Sequence, residues 1–358
     1  MTVRRHSLWR ELLVCALVLA AVSSALAVTA VRAEDKPAVI RVANPGVGVG
    51  GRPVVAYGAW SLLHIQGALE NEFKADGIPV TWTFARGAGP AVNELYSNGL
   101  ADISLLGDLP SIIGKSSGLS TRLLAAAGLN NIYVAVPADS PVQTIEQLAG
   151  RRLAVFKGTC NHLSLNRIFA AHGLAEKDVR TINMDNVTMS AALVTKDIEA
   201  AVGGADLLAL RDRGAARIIY STKGDPRFTC NSTLIVSDAF ARKYPSIVKR
   251  IVRVYVRIAK WVTDHESHPN EVFQLFTKSG IPYASFKEDW GGEQFKVKVS
   301  PLVDTYLRAR YASSVQDAYK FRLIRQPFDV NSWVDTSFLD QVVKEEHLED
   351  YWPPRPAL

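Results

Sequence analysis

The sequence has no block of lysine and arginine residues and no basic stripe interleaved with aromatic residues. Its 41 basic and 35 acidic residues give a net charge of only +6. Because nucleic-acid-binding domains concentrate positive charge on one face, this balance excludes a nucleic-acid partner from the expected functions. Internal repeats and low-complexity tracts are also missing beyond residue 33.

The motifs of several enzyme classes are missing as well. There is no nucleophile elbow, no zinc-protease helix motif and no phosphate-binding loop with its lysine. His265 and His268 stand in a segment typical of a turn between helices, so we expect a solvated corner there and no metal site. The glycine-rich segment 46–51 is followed by Arg52-Pro53 where a dinucleotide-binding unit would start a helix. We therefore expect no cofactor, no metal and no catalytic residue.

The first 33 residues have the order of a secretory signal peptide. Three arginines precede an apolar run over residues 12–22, and small residues then allow cleavage after Ala27 or, as we prefer, after Ala33. The alternative is an uncleaved membrane anchor, because weakly apolar residues continue to Val31. The Arg4-Arg5 pair leaves both the general and the twin-arginine export routes open. Either route predicts a periplasmic protein.

Cleavage after Ala33 removes four arginines and one glutamate, which lowers the net charge from +6 to about +3. Two of the three cysteines would remain, Cys160 and Cys230. Export places them in an oxidising compartment, where disulfides persist. They are candidates for a disulfide, provided that the fold brings their Cα atoms within bonding range.

The length and the order of the predicted elements indicate two α/β lobes. About 325 residues after cleavage exceed what one core comfortably holds. Short strand patterns alternate with helical patterns, which is typical of parallel sheets covered by helices. We assign residues 38–136 and 233–358 to the first lobe with a helical C-terminal tail, and residues 137–232 to the second lobe. Two strands that link these lobes predict a hinged clamshell.

Glycine-bearing loops follow four of the predicted strands, at residues 46–52, 87–90, 107–110 and 157–159. Ligands of open α/β sheets bind beyond the carboxyl ends of the strands. Helix N-termini at that edge present unpaired N–H groups and suit an anion, to which an arginine can add a bidentate contact. Each loop alone is explained by turn formation or helix capping, but their occurrence in both lobes predicts an anion between the lobes. The expected ligand-binding residues are Arg52, His64, Gly87, Gly89, Pro90, Gly107, Asp108, Lys157, Gly158, Thr159 and Asp206.

Five segments, in this order, resemble the nitrate/sulfonate/taurine-type substrate-binding proteins of ABC transporters. They are FARGAGP at 84–90, GDLP at 107–110, DSP at 139–141 with LAGRR at 148–152, and VFKGT at 155–159. The resemblance implies a type II periplasmic-binding-protein fold, an aliphatic sulfonate-like ligand, a permease of the inner membrane as partner, and a monomer. Leu109 and the GGAD segment at 203–206 depart from the family pattern, and these departures bear on the ligand more than on the fold.

Three functions follow from these observations. The leading hypothesis is a non-catalytic protein that captures a small anion for an ABC importer. The second is an enzyme on the same fold that resembles thiamine-pyrimidine synthases, for which Cys160 with His162 is the candidate pair. The third is a sensory protein that binds a solute and signals without transport.

Overall fold

A computed structural model describes residues 36–55 and 58–355 of the chain. The predicted signal peptide, residues 1–33, lies outside the described residues. The strands are β1 Ile40–Pro45, β2 Val80–Ala85, β3 Ile103–Gly107, β4 Thr121–Asn130, β5 Tyr133–Pro137, β6 Arg152–Val155, β7 Arg180–Asn183, β8 Ala200–Gly203, β9 Ala216–Ser221 and β10 Cys230–Ser237.

Helices lie between these strands and form most of the C-terminal tail. The helices are α1 Ala59–Ile65, α2 Ala68–Phe73, α3 Ala88–Ser97, α4 Asp108–Ser116, α5 Cys160–Ala171, α6 Asn186–Val194, α7 Asp206–Asp212, α8 Asp238–Lys243, α9 Pro245–Asp264, α10 Asn270–Phe276, α11 Tyr283–Trp290, α12 Phe295–Lys298, α13 Thr305–Lys320 and α14 Ser337–Glu345. Short 3-10 turns are Val49–Gly51, Lys74–Asp76, Glu146–Leu148, Glu176–Asp178, Thr277–Ser279 and Val330–Ser332. Within the described ranges, no helix combines the length and hydropathy that a membrane span requires.

The strands form two five-stranded sheets, with the orders β2-β1-β3-β10-β4 and β7-β6-β8-β5-β9. In the first sheet β1 runs parallel to β2 and β3, whereas β10 is antiparallel to β3 and β4. In the second sheet β6 runs parallel to β7 and β8, whereas β5 is antiparallel to β8 and β9. The two-lobe α/β fold is therefore confirmed, and the expectation of parallel sheets is corrected to mixed ones.

The chain crosses from the first sheet to the second after Asn130 and returns before Cys230. Residues 133–136, which we assigned to the first lobe, belong to the second sheet as part of β5. Strand β10 begins at Cys230, three residues before residue 233, where we placed the return of the chain to the first lobe. Every residue of β5 is buried, so its uniform apolar pattern carries no mark of the sheet in which it pairs.

The C-terminal tail is helical, as predicted, and residues 305–320 form one continuous helix in it, α13. The Asp304 side chain caps its first turn by accepting the Leu307 N–H at 3.0 Å. Arg355 returns from the end of the described chain to the same carboxylate, with its Nε 2.8 Å from Oδ2. This cap fixes the start of α13 against the first sheet.

Helix α5 belongs to the second lobe but is bonded to the first lobe at two points. At its first residue, Cys160 forms a disulfide with Cys230 at the start of β10, with a Cα–Cα distance of 5.4 Å. Two turns later, the Arg167 Nε donates to Asp317 of α13 at 2.7 Å, and its Nη1 lies 3.6 Å from Asp108 of α4. The helix therefore joins the two lobes on the side where the chain crosses between them.

Candidate functional site

A cleft of about 640 Å³ lies at the carboxyl ends of the parallel strands of both sheets. Its walls come from the loops after β1, β2 and β3 in the first lobe and after β6, β7 and β8 in the second. The ends of β4 and β10 and parts of α11 and α12 complete the lining. Its volume lies within the range of about 300–1,000 Å³ that is usual for sites of small organic ligands.

Three of the longer helices begin at this cleft without a side-chain cap from the residue that precedes them, α3, α4 and α5, and so do the seven-residue helices α1 and α7. The first N–H groups of a helix have no partner within the helix, and the helix dipole makes this end positive. At α4 one of them is satisfied, because Asp108 Oδ1 accepts the Leu109 N–H at 2.8 Å. Helix α6 also begins here, but Asp185 caps it by accepting the N–H groups of Val187 and Thr188. The starts of α3 and α5 therefore remain the most open to an anion.

Arg86 is the cation that sequence reasoning missed. It lines the cleft from the loop between β2 and α3, and its side chain is exposed. Among the described residues, no hydrogen bond engages its guanidinium, which lies close to Gly51. The FARG segment contained the signal, since an arginine directly after a strand points to the ligand edge of a sheet, but the prediction took the glycines beside it and left Arg86 out.

The positive charge of Arg86 acts across the cleft on the carboxylate of Asp185 in the second lobe. Burial raises the pKa of Asp185, but hydrogen bonds from Thr188 and Val187 together with the charge of Arg86 outweigh burial and lower it. Asp185 is thus an anion whose acceptors are occupied by its own helix cap. It leaves the guanidinium of Arg86 available to a ligand.

Arg52, the arginine that we predicted in the site, does not line the cleft. Its side chain is exposed and lies near Gly48 and Gly280. The positive φ angles of Gly50 and Gly51, 71° and 78°, turn the chain just before Arg52. This turn directs the arginine away from the cleft, a consequence of glycine conformation that the residue order does not reveal.

His64 also lies outside the cleft lining. Helix α1 reaches the cleft with Ala59, but His64 follows more than a turn later and packs edge-on against Trp82 and Phe84, with ring centroids 4.9 and 5.0 Å away. Burial lowers the pKa of His64, although the nearby Glu70 acts in the opposite direction. Its role is to pack an aromatic cluster against β2.

Lys157 and Gly158 are close to the cleft but do not line it. The Lys157 ammonium pairs with Glu176 at 2.9 Å, and the Gly158 N–H donates to His162 Nδ1 at 3.3 Å. Their neighbour Thr159 does line the cleft, and its hydroxyl donates to the Phe156 carbonyl at 2.6 Å. The predicted loop is therefore at the site, with Thr159 as its contribution.

Glycines allow the first and second lobes to approach closely at this cleft. A Cβ on Gly107 would lie 2.9 Å from the Cys160 Cβ, and one on Gly158 would lie 2.8 Å from Cγ of Pro90. Within the first lobe, Gly89 packs on Pro110, where a Cβ would come within 2.2 Å of the proline ring. Gly89 and Gly107 line the cleft, whereas Gly87, Pro90 and Asp108 do not.

Asp108 and Asp206, the two predicted acidic residues, have different surroundings. Asp108 is buried beneath the cleft, where it accepts the Ser314 hydroxyl at 3.0 Å and faces Arg167. Asp206 lines the cleft, and its Oδ1 accepts the Gly204 N–H at 3.0 Å. Burial raises the pKa of Asp206. Asp206 is therefore placed to accept or, when protonated, to donate a hydrogen bond to a ligand.

Ala88, which lines the cleft, has a φ of +52° at the first residue of α3. The left-handed region is unfavourable for a residue with a Cβ, at about 1–3 kcal/mol, and such residues concentrate at ligand sites. Here the conformation stands between Gly87 and Gly89, at one of the two open helix starts. The helix itself does not require this left-handed conformation at Ala88.

Two mixed sheets, a hinge of two crossing segments and a cleft at the strand ends define the class of two-lobe periplasmic binding proteins. A profile of the family described as "NMT1/THI5 like" matches residues 72–271. This match covers more than half of the chain, and the chain belongs to that family.

Individual relatives agree with the family. A protein of Bacillus subtilis (strain 168), described as an aliphatic sulfonates-binding protein, is 21% identical over 283 residues, which are 78% of this chain and 83% of the relative. The crystal structure of SsuA, a periplasmic sulfonate-binding protein from Methylobacillus flagellatus KT, is 28% identical and has a TM-score of 0.75, covering 89% of this chain and 98% of that chain. The desulfurization enzyme DSZB shares the fold at 18% identity, with a TM-score of 0.63 over 86% of this chain and 99% of the enzyme.

Proposed function

We propose that this protein is the periplasmic solute-binding component of an ABC importer and that it holds an organic sulfonate between its two lobes. In this proposal the signal peptide at residues 1–33 is removed on export. The mature protein is a monomer that delivers its ligand to a permease in the inner membrane. The observation that carries the proposal is the guanidinium of Arg86, which has no hydrogen bond to any other described residue and lines a cleft where α3 and α5 begin.

The chemistry of a sulfonate suits this arrangement. A sulfonate keeps its negative charge throughout the physiological pH range and offers three oxygen acceptors. A guanidinium satisfies two of them in parallel, and backbone N–H groups at a helix start satisfy the third. Each helix start adds about 0.3–1 kcal/mol of favourable interaction with an anion. The names of the B. subtilis and M. flagellatus relatives favour this ligand class over nitrate or a carboxylate.

We further infer that the protein binds its ligand without converting it. Cys160 and Cys230 line the cleft, but their sulfurs are joined in a disulfide and neither is a thiol nucleophile in this state. His162, the base considered beside Cys160, has Nδ1 engaged by the Gly158 N–H and Nε2 within 2.9 Å of Glu176. Both ring nitrogens thus serve the local structure of α5. The fold shared with DSZB is a likeness of fold alone.

The lobes are connected in a way that suits a hinge. Ligand capture by closure requires one lobe to rotate on the other about the crossing segments. The disulfide and Arg167 hold α5 to the first lobe on the crossing side, whereas the loops after β7 and β8 have no such bond across the cleft among the described residues. A ligand that contacts both lobes shifts the population towards the closed state.

The direct test is calorimetric titration of the mature protein with three compounds that share one hexyl body: 1-hexanesulfonate, heptanoate and 1-hexanol. We expect the sulfonate to bind at least tenfold more tightly than the carboxylate, and no binding of the alcohol. Mass spectrometry of the ligand after overnight incubation should recover it unchanged. Equal binding of the alcohol, or a converted ligand, would overturn the proposal.

A further inference from the structure

Val49 and Val187 are exposed apolar side chains that stand on opposite lobes of the cleft. Each is 46% exposed, and both line the cleft. Val49 belongs to the short turn Val49–Gly51 of the first lobe, and Val187 lies in the first turn of α6 in the second. These two elements contact each other. The pair therefore forms an apolar lip where the lobes meet.

The loop that carries Val49 is ordered by its own hydrogen bonds. The Gly48 N–H donates to the Arg52 carbonyl at 2.8 Å, and the Gly51 N–H donates to the Gly48 carbonyl at 3.0 Å. In this loop glycine and valine alternate, and Val47 lines the cleft together with Val49. Single exposed valines are common on protein surfaces, but these two face one cleft from elements of both lobes that contact each other.

The apolar lip continues into the cleft along the C-terminal tail. Ile281, Trp290 and Val299 line this part, and each is at most 4% exposed. Lys298 lies between them, but its ammonium is paired with Glu293 and its side chain is 3% exposed. This end of the cleft thus offers a ligand apolar surface and no free cation among its lining residues.

The polar and apolar features of the cleft divide its lining into two functions. Arg86 and the starts of α3 and α5 can hold one anionic group. A sulfonate of one to three carbons would supply that group. Such a ligand would leave the apolar wall unused in a cleft of about 640 Å³, a volume suited to a larger organic molecule. Covering apolar surface of this kind is favourable by about 25 cal/mol per Å².

We propose that the ligand is an amphiphilic sulfonate with a bulky apolar body, an aryl group or an alkyl chain of about six carbons or more. Its head group lies at Arg86, and its body lies along the wall of Val47, Val49, Val187, Ile281, Trp290 and Val299. This inference rests on the proposed function and adds the ligand's second half. Val49 and Val187, the apolar lip, close over the body of the ligand when the lobes approach each other.

A titration series at constant head group tests the proposal. The ligands are methanesulfonate, 1-butanesulfonate, 1-hexanesulfonate and 2-naphthalenesulfonate, with the weakest measured by displacement of a tighter one. We expect the Kd to fall about fourfold for each added methylene, which corresponds to about 0.8 kcal/mol. 2-Naphthalenesulfonate should bind at least 100-fold more tightly than methanesulfonate. A series whose Kd stays within threefold would overturn the inference.

Valine variants test whether the apolar lip causes the dependence of the Kd on the ligand's apolar body, and Val194 of α6 provides a matched control. Val187→Ser and Val49→Ser should each weaken 2-naphthalenesulfonate by about three- to tenfold and leave methanesulfonate unchanged. Val194 is on the same helix and 49% exposed, but it does not line the cleft, so Val194→Ser should change neither ligand. All three positions are exposed, and equal melting temperatures will show that the fold is intact. Equal effects of Val187→Ser and Val194→Ser would contradict the proposal.

A change of head group separates this inference from the proposed function. If short sulfonates bind tightly and the series is flat, the apolar-body inference fails while the proposed function stands. If 2-naphthalenemethanol binds as tightly as 2-naphthalenesulfonate, the sulfonate function fails, and with it the amphiphilic ligand. If 2-naphthalenesulfonate binds tightly while methanesulfonate and 2-naphthalenemethanol bind weakly, both the proposed function and the apolar-body inference are supported.

Discussion

Arg167 of the second lobe lies 3.6 Å from the carboxylate of Asp108 in the first lobe, and both side chains are almost fully buried. The same guanidinium donates to Asp317 at 2.7 Å and to the Ser314 hydroxyl at 2.9 Å. These contacts connect α5 to α4 and α13 directly beneath the cleft. They make Arg167 a link between the stability of the fold and the position of the lobes.

Arg167→Met should therefore destabilise the protein strongly. Removing one partner of a buried ion pair leaves an uncompensated charge, here Asp108, at a cost of about 3–5 kcal/mol. Urea unfolding measures the loss. Arg151→Met is the control, because the Arg151–Glu199 pair is 43% and 30% exposed and should contribute less than about 1 kcal/mol. Equal losses in the two variants would show that Arg167 is not a linking residue.

The disulfide between Cys160 and Cys230 should stabilise the fold about as much as Arg167 does. It closes a loop with a sequence separation of 70 residues, for which chain entropy predicts about 4 kcal/mol. We expect reductant to lower the melting temperature of the wild type. The Cys160→Ala, Cys230→Ala double variant should start lower and not respond to reductant. An unchanged melting temperature of the wild type after reduction, with free thiols verified by titration, would contradict this prediction.

The backbone conformation at Ala88 predicts an effect of the opposite sign on the free energy of unfolding. Glycine adopts a φ of +52° without steric cost, so Ala88→Gly should leave the free energy of unfolding unchanged or raise it by up to about 1 kcal/mol. Ala91→Gly, three residues later in the same helix, is the matched control. It should lower the stability by about 1 kcal/mol, because Ala91 is in the helical interior. A loss at Ala88 equal to that at Ala91 would argue against backbone strain.

His64 should make the stability depend on pH. Its pKa is lowered in the folded state by burial, so the unfolded chain binds more protons between the folded pKa and the usual value of 6.5. The stability therefore falls as the pH drops from 7 towards 5. His64→Phe should reduce this fall, as measured by melting temperatures at pH 5 and 7. An identical fall in wild type and variant would assign the pH dependence to other groups.

Much of the fold was predictable because local patterns determine it. Helix α9 begins with Pro245 and ends at Asp264, and both its amphipathic pattern and its start are visible in the sequence. The glycine-bearing loops were predicted from their positions after strands, and residues of all four line the cleft. What the pattern could not give was the sheet to which β5 belongs, since its residues are buried in either arrangement.

The candidate site was less predictable than the fold. Arg52 and Arg86 both follow a strand and stand beside glycines, so their sequence surroundings do not distinguish them. The direction of Arg52 depends on the turn at Gly50 and Gly51, whose φ angles only the three-dimensional structure provides. In the same way, the approach of Gly107 to the disulfide depends on contacts between distant segments. Side-chain direction, more than residue type, separates the lining of the cleft from its surroundings.

The comparison of these two arginines is the most direct measurement of how the protein binds its ligand. Arg86→Ala should weaken 1-hexanesulfonate by about 10- to 100-fold, the loss of charge-assisted hydrogen bonds of about 1.5–3 kcal/mol, and Arg86→Lys should recover part of it. Arg52→Ala removes the same charge outside the cleft and should change the Kd by less than twofold. If Arg86→Ala binds like the wild type, or if Arg52→Ala loses the ligand instead, the assignment of the anion site to Arg86 is wrong.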